Sequence, residues 1–355
     1  MGSRKSIDKN LRIPEADILL PGEWHPQEAI LLAWPDAGTD WAAVIDDVET
    51  AYQQMVLQIG RRQQVLILCT QPGRVNSIIP PEVAANVQVI ACRFNDTWIR
   101  DYGPITVFCK GRPVFLDFGF DGWGGKFSAE FDNAATSWLY RNGHLGSRAG
   151  YRDCGYLIME GGSIETDGRG TILTTERCLI ANSRNPGWPR DRIEDELCRL
   201  FGLRQIIWLR NGYLEGDDTD GHIDTLARFC SPDTIAYVRC SDPHDSHYEV
   251  LRAMESELQC AVDAVGKPYN LVPLPMVEPL YDNNGQRLPA TYANFLIINN
   301  AVLMPVYGSP ADQEALSALK SIFTARDIIP IDCRTLILEG GALHCATMQI
   351  PKVVI

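Results

Sequence analysis

Short apolar runs broken by Gly, Pro and acidic turns make up much of this chain. Ala29–Trp34 (closed by Pro35), Val65–Cys69, Val87–Cys92, Ile105–Cys109, Val114–Phe118 and Gln205–Leu209 have the length and the β-branched content of buried strands. Thr171–Ala181, Thr234–Val238, Phe295–Ile298, Val302–Val306 and Ile328–Ile331 read the same way. Between them lie stretches with a different period. Val44, Val48, Tyr52, Met55 and Ile59 recur at spacings of four and three, which predicts an amphipathic helix over 41–60. Arg192–Phe201, with Gly202 as its C-cap, Ser246–Leu258, with Ser246 and Glu249 as a capping box, and Pro310–Phe323 are further helices. Strand pairs alternate with single helices about five times, and no Pro/Gly/Ser-rich linker interrupts them. That pattern predicts one α/β domain of repeated modules over 1–355, with 1–22 as an irregular lead-in.

One turn occurs twice. Leu157-Ile158-Met159-Glu160-Gly161-Gly162-Ser163-Ile164 matches Leu336-Ile337-Leu338-Glu339-Gly340-Gly341-Ala342-Leu343 position by position. The copies lie about half the chain apart, so internal pseudo-symmetry with further units between them is expected. Leu336–Leu338 reads as a buried strand running into paired glycines, where the backbone can turn sharply. Cys345 follows, with His344 beside it. A thiol on such a turn is a candidate nucleophile, although a lone cysteine also serves as a small buried hydrophobe.

Other polar groups sit between apolar runs. Trp98-Ile99-Arg100-Asp101-Tyr102 separates two strands, as a loop at a sheet end does. Glu160 ends the first copy of the turn. His222-Ile223-Asp224 follows an acidic loop and reads as a strand start, on which His222 and Asp224 share a face. The glycine-rich stretch Phe118–Phe131 reads as a wrapping loop. It lacks the strand and helix that frame a phosphate cradle.

Composition narrows the function. Of 355 residues, 45% are hydrophobic and 22% charged, ample for a core. The net charge of −13, without a Lys/Arg cluster beyond Arg61-Arg62 after the N-terminus, argues against nucleic-acid binding and modestly favours cationic ligands. Eleven scattered cysteines with no C-x-x-C pair point to a reducing, cytoplasmic setting rather than a disulfide framework. His244 and His247 have loose metal-ligand spacing that nothing completes, so no metal is expected. The polar Met1–Asn10 shows no signal peptide, and no apolar run suits a membrane span.

The ordered set Trp98/Asp101, Glu160, His222/Asp224 and Cys345 resembles the guanidine-modifying superfamily. It is most similar to the agmatine deiminase and bacterial peptidylarginine-deiminase-like family. Trp98-Ile99-Arg100-Asp101-Tyr102-Gly103-Pro104, Glu160-Gly161-Gly162-Ser163-Ile164, Asn185-Pro186, Gly221-His222-Ile223-Asp224, Tyr292-Ala293-Asn294-Phe295 and His344-Cys345-Ala346-Thr347 carry the resemblance over roughly residues 20–351. It implies a five-bladed, pseudo-symmetric α/β propeller (the pentein fold) with a central site and no cofactor. It further implies a small cationic guanidinium substrate, Cys345 as nucleophile, His222 as acid–base, and Asp101 and Asp224 as the carboxylates that hold the guanidinium. Glu160 would orient His222, Trp98 would wall the pocket, and Asp218 would suit a cationic tail. Glu160 could instead cap its own turn, and Asp101 could pair with Arg100. Agmatine leads as substrate. Peptidyl or free arginine, amidino transfer to an amine, and a catalytically dead binding propeller are the rivals. Asp218 and Asp220 stand where the family has Glu and Asn, and Glu339-Gly340-Gly341-Ala342-Leu343 departs from the usual G-G-G-N-I. Homo-oligomerisation is left open.

Overall fold

Five times along the chain, two strands pair antiparallel and a helix then carries the chain over to a third strand parallel to the second. The computed structural model describes residues 17–146 and 149–353. Ile105–Cys109 and Arg112–Gly119 begin the first such unit, and Gly150–Ile158 completes it after the helix Asp132–Arg141. Ile164–Thr166, Thr171–Thr175 and Gln205–Leu209 make the second, with the helix Arg190–Phe201 in the crossover. The third and fourth are Ala227–Ser231, Thr234–Arg239, Asn270–Pro275 and Leu296–Ile298, Ala301–Val306, Asp327–Asp332. The fifth is closed by the two ends of the chain. Thr347–Pro351 pairs antiparallel with Gln27–Ala33, which runs parallel to Gln64–Cys69, and Val87–Ala91 extends the same sheet. The strand that seals the propeller therefore starts two residues after Cys345.

This arrangement follows from the apolar patterning. Ile30, Leu31 and Leu32 are all fully buried, as a strand covered on both faces requires. The helix Ile45–Gly60 buries Val48, Tyr52, Met55, Val56 and Ile59 on one stripe. Each such side chain contributes about 1.5–3 kcal/mol on removal from water. Gly202 closes its helix in the left-handed conformation (φ 69°), as expected.

Four local expectations are corrected. Leu336–Glu339 is a 3-10 helix rather than a strand, and Leu338 is 40% exposed. The fourth sheet is already complete at Asp332, so the chain there is crossing to the next blade and has no strand to pair with. Thr171–Ala181 is a strand only to Thr175, whose hydroxyl then accepts from the Cys178 N–H and starts a short helix. Ser246 and Glu249 form no capping box, because the helix begins at Tyr248 with no side-chain cap. The lead-in is not wholly irregular, since Ile18–Leu19 adds a short strand beside Ile105–Cys109. All eleven cysteines are free thiols. Among the described residues no helix is long and apolar enough to cross a membrane.

Candidate active site

Asp101 lies on the loop between the fifth and first blades and is held by two donors. Its Oδ1 accepts from the Gly162 N–H at 2.9 Å and its Oδ2 from Trp123 Nε1 at 2.9 Å. Arg100 turns away to the His344 carbonyl (3.2 Å) and Gln349 Oε1 (2.6 Å), so the Asp101–Arg100 alternative is not realised. Burial pushes the Asp101 carboxyl up to about 6; nearby His222 opposes the shift, while Asp224 and Glu160 add to it.

The first Glu-Gly-Gly turn supplies the wall beside it. Glu160 Oε1 accepts from Arg184 Nε at 2.7 Å, and neither group is exposed to solvent. The side chain does not cap its own turn. Gly162 has to be glycine: a Cβ there would lie 2.7 Å from His222 Nδ1, 2.9 Å from Asp101 Oδ1 and 3.1 Å from Asp224 Oδ2. Three polar groups from two segments thus converge on one point of backbone.

His222 and Asp224 reach this point by a route other than the expected strand. Ile223–Thr225 is a 3-10 turn, and the strand begins only at Ala227. The Thr225 hydroxyl donates to the His222 carbonyl at 2.9 Å and folds the chain back. His222 is fully buried, and neither ring nitrogen has a well-formed hydrogen bond. Nδ1 stands 3.6 Å from Asp101 Oδ1 and Nε2 4.0 Å from Glu160 Oε2. Burial pulls the imidazole pKa down, but Asp101, Cys178 and Glu160 outweigh it and hold it well above the usual histidine range.

Asp224 Oδ2 accepts from His344 Nδ1 at 2.7 Å and from Asn294 Nδ2 at 3.4 Å. Its Oδ1 is buried without a partner among the described residues. Burial raises its pKa, yet the hydrogen bond and charge of His344 leave it below the usual carboxylate value. Cys345 Sγ lies 3.1 Å from Asn294 Nδ2 and 3.7 Å from Asp224 Oδ2. Burial, then the charges of Asp224 and Asp101, push this thiol well above the usual cysteine value.

The pocket above Cys345 is walled by Trp41, Trp98, Trp123 and Phe127. Trp98 sits 5.9 Å from Trp41, centroid to centroid, and packs so closely on Gly341 that a Cβ there would fall 2.4 Å from its ring. Asp40, Asp96, Asp101, Asp218 and Glu339 line the same pocket, and among the described residues no Lys or Arg does. Burial pushes Asp96 up to about 6 and raises Asp218 and Glu339; Asp217 adds to the second shift, and Asp40, Asp96 and Asp218 to the third. Crowded carboxylates of this kind favour a cation between them.

The seven residues singled out in the sequence, Trp98, Asp101, Glu160, Asp218, His222, Asp224 and Cys345, lie at this pocket or immediately behind it. Sequence reasoning assigned no role to Arg184, Trp123, Asn294 or Asp40. Asn294 lies within the quoted Tyr-Ala-Asn-Phe signature and Arg184 directly precedes Asn185-Pro186, so both had a signal. Among the described residues two buried groups have ligand types suited to a metal: Glu160/Cys178/His222 and Glu23/Glu165/His344. Arg184 already compensates the first and Arg228 the second, so neither has an uncompensated demand for a cation.

Residues 19–351 match the Porphyromonas-type peptidyl-arginine deiminase family. The chain belongs to this family. It is thus a hydrolase of the deiminase class, and its five-bladed architecture is the pentein fold of these enzymes. A Porphyromonas gingivalis protein described as an arginine deiminase candidate is 47% identical, with a TM-score of 0.91 over 95% of this chain and 99% of that one. A C. jejuni agmatine deiminase, solved with substrate bound, is 37% identical, with a TM-score of 0.87 over 95% and 97%. An agmatine deiminase of Pseudomonas fluorescens is 30% identical over 363 residues, covering 95% of this chain and 97% of that one.

Proposed function

We propose that this deiminase hydrolyses the guanidinium of agmatine to N-carbamoylputrescine and ammonia through a covalent intermediate on Cys345. The observation that carries the reading is the pocket itself: aromatic walls, five lining carboxylates, no Lys or Arg among the described lining residues, and a buried thiol at its end. Agmatine is a cation at both ends. Its guanidinium would lie between Asp101 and Asp224, whose carboxylates accept forked N–H pairs. Its ammonium would lie among Asp218, Asp96, Asp40 and Glu339 nearer the mouth.

The electrostatics suggest the order of events. A guanidinium beside Cys345 offsets the two carboxylates that add to burial in raising the thiol, so binding releases the sulfur proton to solvent and generates the nucleophile. The thiolate attacks the guanidinium carbon, held at bonding distance by the clamp. His222, kept as imidazolium by its acidic neighbours, gives its proton to the departing nitrogen, and ammonia leaves. A thiouronium remains on Cys345. The now neutral His222 takes a proton from water, whose oxygen attacks the same carbon; the C–S bond then breaks, the new hydroxyl's proton passes to the departing sulfur, and the ureido product is left. Glu160, braced by Arg184, supplies the charge behind His222.

Free arginine is the second reading, favoured by the description of the P. gingivalis relative. Its carboxylate would need a cation at the mouth. Lys126 is the basic group there, and it is engaged by the Asp218 carbonyl (2.5 Å) and Asp220 (3.0 Å). Ammonia release from agmatine, free arginine and a blocked arginine peptide separates the readings. Agmatine should be turned over with the highest kcat/KM, and no turnover of it would remove this proposal. Protein quenched during turnover should carry an adduct on Cys345, and Cys345→Ala should bind agmatine without converting it.

A further inference from the structure

Behind the clamp, a chain of buried charge leads away from the pocket. His344 gives Nδ1 to Asp224 Oδ2 at 2.7 Å and Nε2 to Glu23 Oε2 at 2.8 Å. Glu23 is held in turn by Arg228 and, through Oε1, by the Ile297 N–H at 2.6 Å. Arg228 also pairs with Glu165 and donates to the carbonyls of Ala293 (3.1 Å) and Phe295 (2.6 Å). Asp224, His344, Glu23, Arg228 and Glu165 are all buried.

Burying five ionisable groups is expensive even when they are paired, and apolar residues would pack the same space at no such penalty. The arrangement has a consequence at the pocket. Asp224 has two carboxylate oxygens. His344 and Asn294 hold Oδ2, while Oδ1 stays buried with no partner among the described residues. An orphaned carboxylate oxygen is unfavourable unless a ligand donor fills it. A guanidinium N–H is such a donor. The Asp224 side chain could remove the orphan by rotating, and the short bond from His344 prevents that rotation. The imidazole cannot swing aside, because Glu23 fixes its other nitrogen.

We infer that His344 and Glu23 are positioning residues: His344 anchors Asp224 by one oxygen so that the other stays free for the guanidinium, and Glu23, braced by Arg228, anchors the His344 ring. The inference rests on the reading of Asp224 as part of the guanidinium clamp. Nothing in it requires His344 to touch the substrate or Cys345 Sγ.

Two substitutions separate this role from simple packing. In His344→Asn the amide nitrogen falls near the position of Nδ1 and keeps the donor to Asp224. In His344→Gln the amide reaches the position of Nε2, keeping the contact to Glu23 and losing the one to Asp224. KM and kcat for agmatine are measured for both, with melting temperatures as the fold check. His344→Asn should hold KM within about threefold of the parent, whereas His344→Gln should raise KM about tenfold or more with a smaller change in kcat, as loss of a hydrogen bond to a charged group implies. Equal kinetics in the two variants, or the opposite ranking, overturns the inference. If His344→Gln does not fold, Glu23→Gln decides. It keeps the acceptor and removes the charge that braces the ring, so KM should rise about two- to threefold at constant kcat, no more than in His344→Asn; an unchanged KM overturns the role given to Glu23. If the parent enzyme does not convert agmatine, the substrate assignment has failed rather than the relay. The same comparison is then made with the guanidinium compound that the parent does convert.

Discussion

The two Glu-Gly-Gly turns share their residues and almost none of their physics. Glu160 follows the outer strand of the first blade in extended backbone (φ −90°, ψ 140°), is fully buried and is ion-paired with Arg184. Glu339 ends a 3-10 helix, is exposed at the pocket mouth, and is perturbed by partial burial and then by the carboxylates of Asp40, Asp96 and Asp218. The paired glycines serve a common purpose in both copies. Gly162 lets the backbone approach Asp101 and His222, and Gly341 lets it approach Trp98. A repeated motif therefore transmits closeness to the central pocket. The conformation and charge pairing of its glutamate come from whichever element packs against it.

Matched substitutions should pull the two turns apart. Glu160→Gln leaves the Arg184 guanidinium buried with less compensating charge and removes the acid behind His222. Its kcat should fall about 10²-fold or more, the range attributed to positioned acid–base groups, and its stability by about 3 kcal/mol. Glu339→Gln touches a solvated carboxylate, so KM for agmatine should rise only about two- to threefold with kcat and melting temperature unchanged. Equal losses in the two variants would refute the contrast. Steady-state kinetics and thermal melts decide it.

The glycines sharpen the comparison at the next level of effect. Gly162→Ala drives a methyl into three polar atoms that cannot retreat without breaking the clamp, so kcat/KM should drop about 10²-fold. Gly341→Ala meets the Trp98 ring, a pocket wall that can tilt, and the loss should be nearer tenfold and fall mainly on KM. A Gly341→Ala variant with intact KM would show that Trp98 does not contact the substrate.

Much of this was readable from residue order, and the exceptions have physical causes. The strands and helices follow apolar periodicity, which local sequence carries; Val48, Tyr52, Met55 and Ile59 fall on the buried stripe as spaced. Asp101, His222, Asp224 and Cys345 could be singled out because each is a polar group set between apolar runs, and the structure brings them within a few ångströms of one another. Leu336–Leu338 was misread because three apolar residues fit a strand and a 3-10 turn equally well, and only the completed fourth sheet excludes the strand. His222-Ile223-Asp224 was misread similarly, since the Thr225 hydroxyl that bends the chain back leaves no periodic trace. Arg184 and Asn294 were quoted or adjoined without a role, because their partners lie 24 and 51 residues away along the chain. The acidic mouth was hidden for the same reason. Asp40, Asp96 and Glu339 are unremarkable singly and form a site only once the blades converge.

Acidity tests the first turn through Asp101, which Gly162 anchors. Burial raises this carboxyl from its usual 3.8 to about 6. In the free enzyme it is therefore protonated below that pH and gives up the charge that attracts a guanidinium. A plot of kcat/KM for agmatine should fall about tenfold per unit below about pH 6. Asp101→Asn should be much less active and should lack that limb. The sign for folding is opposite. Between about 4 and 6 the folded chain holds a proton that the unfolded chain releases, so raising the pH through this window removes stability contributed by Asp101.

The smallest effect belongs to Gly340, where the second turn departs most from the first. Its φ is 81°, the left-handed region that a side chain disfavours, whereas its counterpart Gly161 has no positive φ. A Cβ on Gly340 would meet only Asp218 Oδ1, at 3.8 Å, so the space is open and the backbone alone resists substitution. Gly340→Ala should lower stability by about 1–2 kcal/mol, the penalty for an L-residue in that region, with kcat/KM within about twofold of the parent. Gly340→Asn should lose less, because asparagine tolerates left-handed backbone. Gly161→Ala reverses the cause: its Cβ would lie 2.1 Å from the Arg100 carbonyl oxygen, a clash with rigid backbone that no change of residue type relieves. Denaturant melts of the three variants should therefore rank Gly340→Asn above Gly340→Ala and both above Gly161→Ala. If Gly340→Ala proved the least stable of the three, strain at the second turn would exceed steric exclusion at the first, and the division of roles between the two copies would have to be redrawn.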